Sequence, residues 1–366
     1  MHPSCIFFTD QSTPLCFPIW FALDLSRLSR SIQGMKNSSQ ALPANLLLLA
    51  LLLFSLLMVT PAARSESSAG RLQHFEGPTG SRDYYLHTPN GRSDSGDAAW
   101  PLVMVLHGCT ESAESIAADT GFNALADAQN FAVIYPQQDS LASPLACWNW
   151  YAESSQSRAT GELAILAGIA EQVKANYHID ATRVFVTGIS AGSAMSANLL
   201  ACYPDIFTGA GLHSGLMYKA SSSPFTSTQA TLFGGLISPL DSAQAAISCA
   251  SGVQQIVNAV VLWGTFDTSV NTINSKQTIE SITDFNQQED PDQSLNVLTE
   301  KSATSPGGLN YTTRTFGSPM GAHILEVQVE GLAHAWSGAA RLGPYADPRG
   351  PSATELIWNF LNNQTP

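Results

Sequence analysis

Ser190 lies at the centre of a short segment whose residue types and spacing suit nucleophilic catalysis. It stands in the pattern G-x-S-x-G with Gly188 and Gly192, after the β-branched and aromatic run 183–187 and before a small-residue helical pattern over 191–201. A strand, this turn and a helix form a nucleophile elbow, which exposes the serine hydroxyl at a helix N-terminus, where negative charge is favoured. The alternative is an ordinary loop rich in Gly and Ser, and both flanks argue against it. The segment therefore predicts Ser190 as a nucleophile for acyl transfer.

A base and an acid for this serine can be assigned from the residues that follow it. In elbow-type sites the acid comes next in the chain and the histidine last. Two histidines follow position 267: His323 opens the strand-like HILEVQV, and His334 lies in the loop beyond it, which favours His334 as the base. Asp267 ends the apolar stretch 260–263 and is the predicted acid, with a turn aspartate as the alternative. Asp205 is too close to the elbow helix in the chain to reach back to the serine. Three later aspartates lie in polar stretches, where exposure to solvent explains them: Asp284, Asp290 and Asp292.

Stabilising a tetrahedral oxyanion needs two backbone amides, one after the nucleophile and one from the loop after an earlier strand. Ala191 follows the serine, and the segment His107-Gly108-Cys109 ends the apolar run 101–106. We predict the amides of Ala191 and Cys109 as donors, with Gly108 as the alternative to Cys109. His107 precedes the serine and is expected to brace the loop rather than to act as a base.

Three tryptophans are candidates for binding substrate. Trp148, Trp150 and Trp336 lie on segments expected to border the site, and Trp336 is two residues from the predicted base. Flat aromatic side chains supply apolar contact area at little entropic cost. The alternative is that they are core residues, since tryptophan is highly buried on average.

The surrounding elements alternate between strand and helix. Apolar strand patterns over 101–106, 131–135 and 183–187 are separated by helical patterns over 112–128 and 160–177. This rhythm predicts an α/β fold with a mostly parallel, doubly wound sheet. The later part predicts strands over 208–213, 258–263, 311–316 and 324–329, a closing helix over 355–361, and an irregular excursion over 214–256; an outer strand is expected over 83–88.

The N-terminal region has the pattern of an export signal. Residues 46–59 form an apolar run of signal-peptide length, preceded by Met35-Lys36 and followed by small residues. We expect residues 1–34 to be an over-long extension, residues 35–65 a signal peptide and residues 66–366 a single catalytic domain, with an uncleaved anchor as the alternative.

The predicted mature domain is strongly acidic. The first 65 residues hold four of the 16 basic and two of the 29 acidic residues, so the remainder has a net charge of −15. Such a surface disfavours nucleic acid and anionic membranes, and a secreted or periplasmic monomer is expected.

Cysteine usage fits an oxidising compartment. Of the six cysteines, Cys5 and Cys16 lie in the leader. The other four allow three pairings, and spacing alone does not choose among them. Two pairs would join segments that lead to the same parts of the site, and these are predicted: Cys109–Cys147 and Cys202–Cys249. The sequence contains no CxxC or Cys/His cluster, so neither a metal nor a cofactor is expected.

Six motifs follow one another along the chain: LHGCTESA, ADTGFNALADAQNFAVIYPQQ, CWNWY, GISAGSAMSANLLACYPDIF, GTFDTSVN and GLAHAW. Taken together and in order, they resemble the catalytic domain of extracellular polyhydroxybutyrate depolymerases and their single-domain esterase relatives, which include feruloyl and acetylxylan esterases. The resemblance implies an α/β-hydrolase fold with Ser190, Asp267 and His334 as the triad and Cys109 in the oxyanion hole. The chain departs from the family where Trp263 replaces the usual histidine before the acid's loop, which concerns packing near the acid.

The expected function is therefore that of a secreted serine esterase. The expected substrates are poly(3-hydroxybutyrate), other polyhydroxyalkanoates or their oligomers, cleaved through an acyl-enzyme. Feruloyl or acetylxylan ester hydrolysis is the alternative within the enzymes, and a non-catalytic binding protein that kept the fold is the alternative of another class. No linker or C-terminal substrate-binding domain is recognised, so poor activity on crystalline polymer is expected.

Overall fold

A ten-stranded sheet runs through the part of the chain that the structure describes. The structure is a computed structural model that describes residue 67 and residues 69–89, 98–319 and 321–363. The predicted signal peptide and N-terminal extension lie outside the described residues. Contacts group Ser65–Pro366 into one compact unit.

The strands of the sheet are parallel at its centre and antiparallel at both edges. In chain order they are β1 (Arg71–Gly77), β2 (Gly80–His87), β3 (Trp100–Leu106), β4 (Ala132–Pro136), β5 (Ile179–Ile189), β6 (Gly209–His213), β7 (Asn258–Gly264), β8 (Ser294–Thr304), β9 (Asn310–Ser318) and β10 (Gly321–Val329). Their order across the sheet is β1-β2-β4-β3-β5-β6-β7-β10-β9-β8, and the block from β4 to β10 is parallel. The predicted mostly parallel sheet is confirmed.

Helices cover both faces of the sheet. They are α1 (Ala113–Thr120), α2 (Phe122–Gln129), α3 (Gly161–Asn176), α4 (Ala191–Cys202), α5 (Pro224–Phe233), α6 (Pro239–Cys249), α7 (Ile273–Asn286) and α8 (Ala353–Asn362). In β3, Leu102 and Met104 pack in one core cluster with α3 and α4, whereas Val103 and Val105 pack in the other with α1, α2 and α8. Successive side chains of a strand point to opposite faces, so a central strand without polar residues is buried on both. The doubly wound arrangement is therefore also confirmed.

The structure differs from the sequence prediction in three places. The helix predicted over 112–128 is broken into α1 and α2 by Gly121, which has a positive φ of 69°. The excursion 214–256 contains α5 and α6, each capped by a serine side chain and begun by a proline. The strands β1 and β8 at the two sheet edges were not predicted. β8 is exposed along almost its whole length, and its large apolar residues Leu295, Val297 and Leu298 do not keep the alternation that marks a half-buried strand.

Two disulfides join the segments around the parallel centre of the sheet. Cys109 is bonded to Cys147, and Cys202 at the end of α4 is bonded to Cys249 at the end of α6. These are the two pairs expected from the sequence. No helix among the described residues is both long enough and apolar enough to cross a membrane.

Candidate active site

The turn from β5 to α4 holds Ser190 in an unusual backbone conformation. Its φ of 58° and ψ of −124° lie outside the regions that non-glycine residues normally adopt. The flanking glycines are required by close approach of the neighbouring strand β3: a Cβ atom would lie 2.5 Å from the Leu106 carbonyl oxygen if placed at Gly188, and 2.2 Å from it at Gly192. The strand, turn and helix thus form the predicted elbow, with Ser190 at the N-terminus of α4.

His334 and Asp267 lie together at the same edge of the sheet. The Nδ1 atom of His334 is 2.8 Å from Oδ2 of Asp267, and the carboxylate side chain is almost fully buried. The other carboxylate oxygen accepts the amides of Ser269 and Val270, each at 2.9 Å. Asp267 is held at three points, so it can fix the ring of His334 and leave Nε2 as the proton acceptor.

Electrostatics keep this aspartate ionised. Burial alone would raise the pKa of Asp267, but hydrogen bonds from His334, the Val270 amide and the Ser214 hydroxyl outweigh it and hold the pKa below its ordinary value. A carboxylate that stays charged can stabilise a protonated ring at His334, the proposed base.

A second histidine, His213, acts on the proposed acid Asp267 through the hydroxyl group of Ser214. The Ser337 amide donates to Nε2 of His213 at 3.1 Å, so the ring proton lies on Nδ1, which is 3.1 Å from the Ser214 hydroxyl oxygen. Burial lowers the pKa of His213 to about 3, which keeps this ring neutral. A neutral His213 therefore orients the Ser214 hydroxyl toward Asp267, although neither residue was singled out from the sequence.

The proposed nucleophile and base line one cavity. This open cavity, together with the solvent space at its mouth, occupies about 470 Å³. Its lining residues are Gly108, Cys109, Glu111, Ile189, Ser190, Ser269, His334 and Tyr345. Four segments from separate parts of the chain thus meet around a space that can hold an ester group: the elbow and the loops after β3, β7 and β10.

The loop after β3 is anchored on both sides of Cys109. The cysteine is bonded to Cys147, and the next amide, that of Thr110, donates to the Leu145 carbonyl oxygen at 2.6 Å. The Gly108 amide donates to a carboxylate oxygen of Glu111 at 2.7 Å. Because the Gly108 amide is already bound, the Cys109 amide is the better candidate for the second donor, together with the first-turn amide of Ala191, which has no acceptor within helix α4.

His107 braces this loop from the interior. It receives a hydrogen bond from the Gln138 amide at Nε2 (3.1 Å), and its Nδ1 donates to the Gly108 carbonyl oxygen at 2.8 Å. Burial lowers the pKa of His107 to about 4, so the ring is a neutral structural group. The Gln138 side chain in turn donates to the buried carboxylate of Glu162, which is paired with Arg82. The expectation that His107 braces the loop agrees with this geometry.

The prediction that three tryptophans border the site is wrong. Trp148 and Trp336 are completely buried, and Trp150 is 5% exposed. The chain turns inward directly after His334, so the ring of Trp336 stacks on His213 with 5.2 Å between ring centroids and donates from Nε1 to Thr354 in α8. Trp148 packs beside His107 at 5.3 Å. These side chains support the two bracing histidines and do not contact the cavity directly.

This burial leads to a prediction about Trp336. Replacing it by alanine leaves a large void and removes the support of His213, so we expect a loss of about 3–5 kcal/mol in the free energy of unfolding, measured by urea denaturation. The matched control is Phe266→Ala, since Phe266 is 70% exposed and its loss is expected to change stability by about 0.5 kcal/mol or less. A stable Trp336→Ala variant that turned over large esters poorly and small ones normally would restore the original assignment.

Some groups around the cavity were missed by sequence reasoning. Glu111 and Tyr345 line it, and the Tyr345 hydroxyl is 3.1 Å from that of Thr110. Glu111 carried a local signal, since a carboxylate two residues after the predicted oxyanion donor is chemically conspicuous. Tyr345 carried none, because 235 residues separate it from its partner in the chain.

The sequence matches one family model and several known depolymerases. The family model described as Esterase PHB depolymerase matches residues 83–292, which is more than half of the chain. The chain is 32% identical over 237 residues to poly(3-hydroxyalkanoate) depolymerase C of Paucimonas lemoignei, covering 63% of this chain and 56% of that protein. It is 28% identical over 270 residues to poly(3-hydroxybutyrate) depolymerase of Ralstonia pickettii, covering 68% and 49% respectively. The chain therefore spans about half the length of these relatives.

A solved structure shares the fold. The acetyl xylan esterase from Aspergillus awamori superimposes with a TM-score of 0.63 at 20% sequence identity, covering 80% of this chain and 99% of that one. The likeness, with the parallel sheet and the elbow, identifies an α/β-hydrolase fold. The match of the family model over residues 83–292 places the chain in the esterase PHB depolymerase family.

Proposed function

We propose that this chain is an exported serine esterase that hydrolyses ester bonds of poly(3-hydroxybutyrate), other polyhydroxyalkanoates or their oligomers. The observation that carries the proposal is the hydrogen bond between His334 and Asp267, 2.8 Å long, at a cavity that Ser190 also lines from a nucleophile elbow. Structural ion pairs are common, but one beside a strained serine at a helix N-terminus suits acyl transfer.

The proposed reaction uses each of these groups in turn. The Ser190 hydroxyl attacks the ester carbonyl carbon while Nε2 of His334 accepts its proton, and the resulting oxyanion is bound by the Ala191 and Cys109 amides. His334 then donates the proton to the leaving alcohol, which gives an acyl-serine. A water molecule, deprotonated by His334, attacks this acyl group; the bond between the acyl carbon and the Ser190 oxygen breaks, His334 returns its proton to that oxygen, and the acid is released. Asp267 stays ionised throughout and holds the ring.

The exposed side chains on the loops that carry the site favour an apolar substrate. Phe266 directly precedes the acid and is 70% exposed. Leu145, whose carbonyl anchors Thr110, is 62% exposed, and Leu342, on the segment that brings Tyr345 to the cavity, is 77% exposed. An aliphatic polyester offers methyl and methylene groups to such surfaces, whereas a polysaccharide backbone offers mainly hydroxyls.

Export is part of the proposal. Two disulfides are typical of proteins that fold in an oxidising compartment, and the sequence pattern over residues 35–65 suits a cleaved signal peptide. N-terminal sequencing of the mature protein from a secreting host tests this, and a start between residues 62 and 67 is expected. A mature N-terminus at Met35 or earlier would contradict it.

Hydrolysis of a matched set of soluble substrates tests the substrate class. We expect the kcat/KM for trimers of 3-hydroxybutyrate to exceed that for methyl ferulate and for acetylated xylo-oligosaccharides by about tenfold or more, which corresponds to about 1.4 kcal/mol of differential transition-state binding. Feruloyl or acetylxylan ester hydrolysis is the second candidate, since the chain is also about 30% identical over shorter stretches to a probable acetylxylan esterase and a feruloyl esterase. The reverse order of kcat/KM would support that candidate.

A further inference from the structure

One carboxyl group in the cavity has no part in the proposed triad. Glu111 lines the cavity together with Ser190 and His334, and its Oε2 accepts the Gly108 amide at 2.7 Å. The carboxyl group packs closely against Gly108, because a Cβ atom at position 108 would lie 2.8 Å from the same oxygen. Glu111 is therefore attached to the loop that supplies the proposed oxyanion donor.

The surroundings of Glu111 oppose its ionisation. Burial raises the pKa of Glu111 from its ordinary value of 4.5 to about 7; the Gly108 amide lowers it, Asp119 raises it and His334 lowers it. Asp119, at the end of α1, is itself paired with Arg341. With Glu111 and His334, Tyr345 is the third titratable group of the cavity lining. The group can thus change its charge near neutral pH.

The position of this charge decides its effect on the reaction. The Gly108 amide that binds Glu111 is one peptide unit from the Cys109 amide, where the oxyanion would form. Of the groups that shift the pKa of Glu111, His334 has the smallest effect. A negative charge at Glu111 therefore opposes the oxyanion more than it assists the imidazolium.

We propose that Glu111 is a positioning residue of the oxyanion hole, which supports catalysis while its carboxyl group is protonated and lowers the rate when that group ionises. The inference rests on the proposed esterase function. In the neutral form one carboxyl oxygen still accepts the Gly108 amide and holds the loop in place. Ionisation keeps this contact but adds a negative charge beside the site where the substrate oxygen becomes negative.

The pH dependence of kcat/KM tests the inference. With soluble methyl 3-hydroxybutyrate, we expect the wild-type value to fall by about tenfold or more between pH 6.5 and pH 9, along a single-proton curve. Glu111→Gln keeps an oxygen for the Gly108 amide and cannot ionise, so its value at pH 9 is expected to exceed that of the wild type and to show no such fall. Glu114→Gln is the matched control: Glu114 is an exposed carboxylate in α1, and its variant is expected to keep the wild-type profile.

A second measurement reports on the same group without catalysis. The folded chain holds the Glu111 proton more tightly than the unfolded chain, so its stabilising contribution is complete below about pH 4.5 and is lost as the pH rises through about 7. The Tm of Glu111→Gln relative to wild type is therefore expected to rise between pH 4.5 and pH 8.

Each outcome separates the inference from the proposed function. An active wild type whose alkaline fall persists unchanged in Glu111→Gln overturns the inference alone, and so does a Tm difference that is independent of pH. A folded wild type that cleaves no ester at any pH overturns the proposed function and the inference with it.

Discussion

Alanine at Ser190 or at His334 is expected to lower kcat roughly 10⁵- to 10⁶-fold while leaving the fold intact. In the proposed reaction Ser190 supplies the attacking oxygen, and His334, bound to Asp267 at 2.8 Å, supplies the base that activates it. Because the two act as a unit, the double variant is expected to lose little more than either single one. Steady-state kinetics on a soluble ester measure the loss, and circular dichroism checks the fold.

His323→Ala is the matched control for the base. His323 lies in β10 with its Nδ1 atom 3.1 Å from the Asn258 side-chain oxygen, and it is outside the lining of the active-site cavity. This variant is expected to keep wild-type kcat within about threefold, as for a substitution away from the site. Loss of turnover in His323→Ala with normal turnover in His334→Ala would show that the base is assigned to the wrong histidine.

Asparagine at Asp267 is expected to lower kcat by roughly 10³- to 10⁴-fold, somewhat less than removal of the nucleophile or the base. The two oxygens of the carboxylate accept from the Ser269 and Val270 amides and from His334. With its oxygen still bound to those amides, the asparagine would present its NH₂ group to His334. The ring would then place its proton on Nε2, where it cannot accept the proton of Ser190.

Ser214→Ala separates this tautomer effect from a simple loss of support. It removes one hydrogen bond to the Asp267 carboxylate but leaves its charge in place. We therefore expect a loss in kcat of about tenfold or less, in keeping with about 1 kcal/mol for one hydrogen bond. Equal losses in Asp267→Asn and Ser214→Ala would contradict the role assigned to the acid.

Much of the fold could be predicted because its strands and turns carry local signals. β3 is apolar throughout because it is buried on both faces of the sheet. The glycines around Ser190 are required because the Leu106 backbone approaches them closely. The helices α5 and α6 were missed because their Ser-, Thr- and Ala-rich sequences show weak periodicity. Their serine caps followed by proline were the available signal, in Ser223-Pro224 and Ser238-Pro239.

The parts of the site that could not be predicted depend on contacts between distant segments. A tryptophan two residues from a predicted base can face either the cavity or the core. Trp336 faces the core because it stacks on His213 and donates to Thr354, and both partners are distant in the sequence. The same holds for the contact between Ser214 and Asp267. The triad positions were accessible since each lies at the C-terminal end of a predicted strand or just beyond it.

Labelling with a fluorophosphonate probe, followed by peptide mass spectrometry, tests the central claim most directly. An activated serine reacts covalently with such a probe, whereas an ordinary surface serine does not. We expect one modified residue, Ser190, with no labelling in Ser190→Ala and strongly slowed labelling in His334→Ala. An unlabelled native chain, or a label on a serine outside the cavity, would contradict the claim that Ser190, His334 and Asp267 form a working catalytic site.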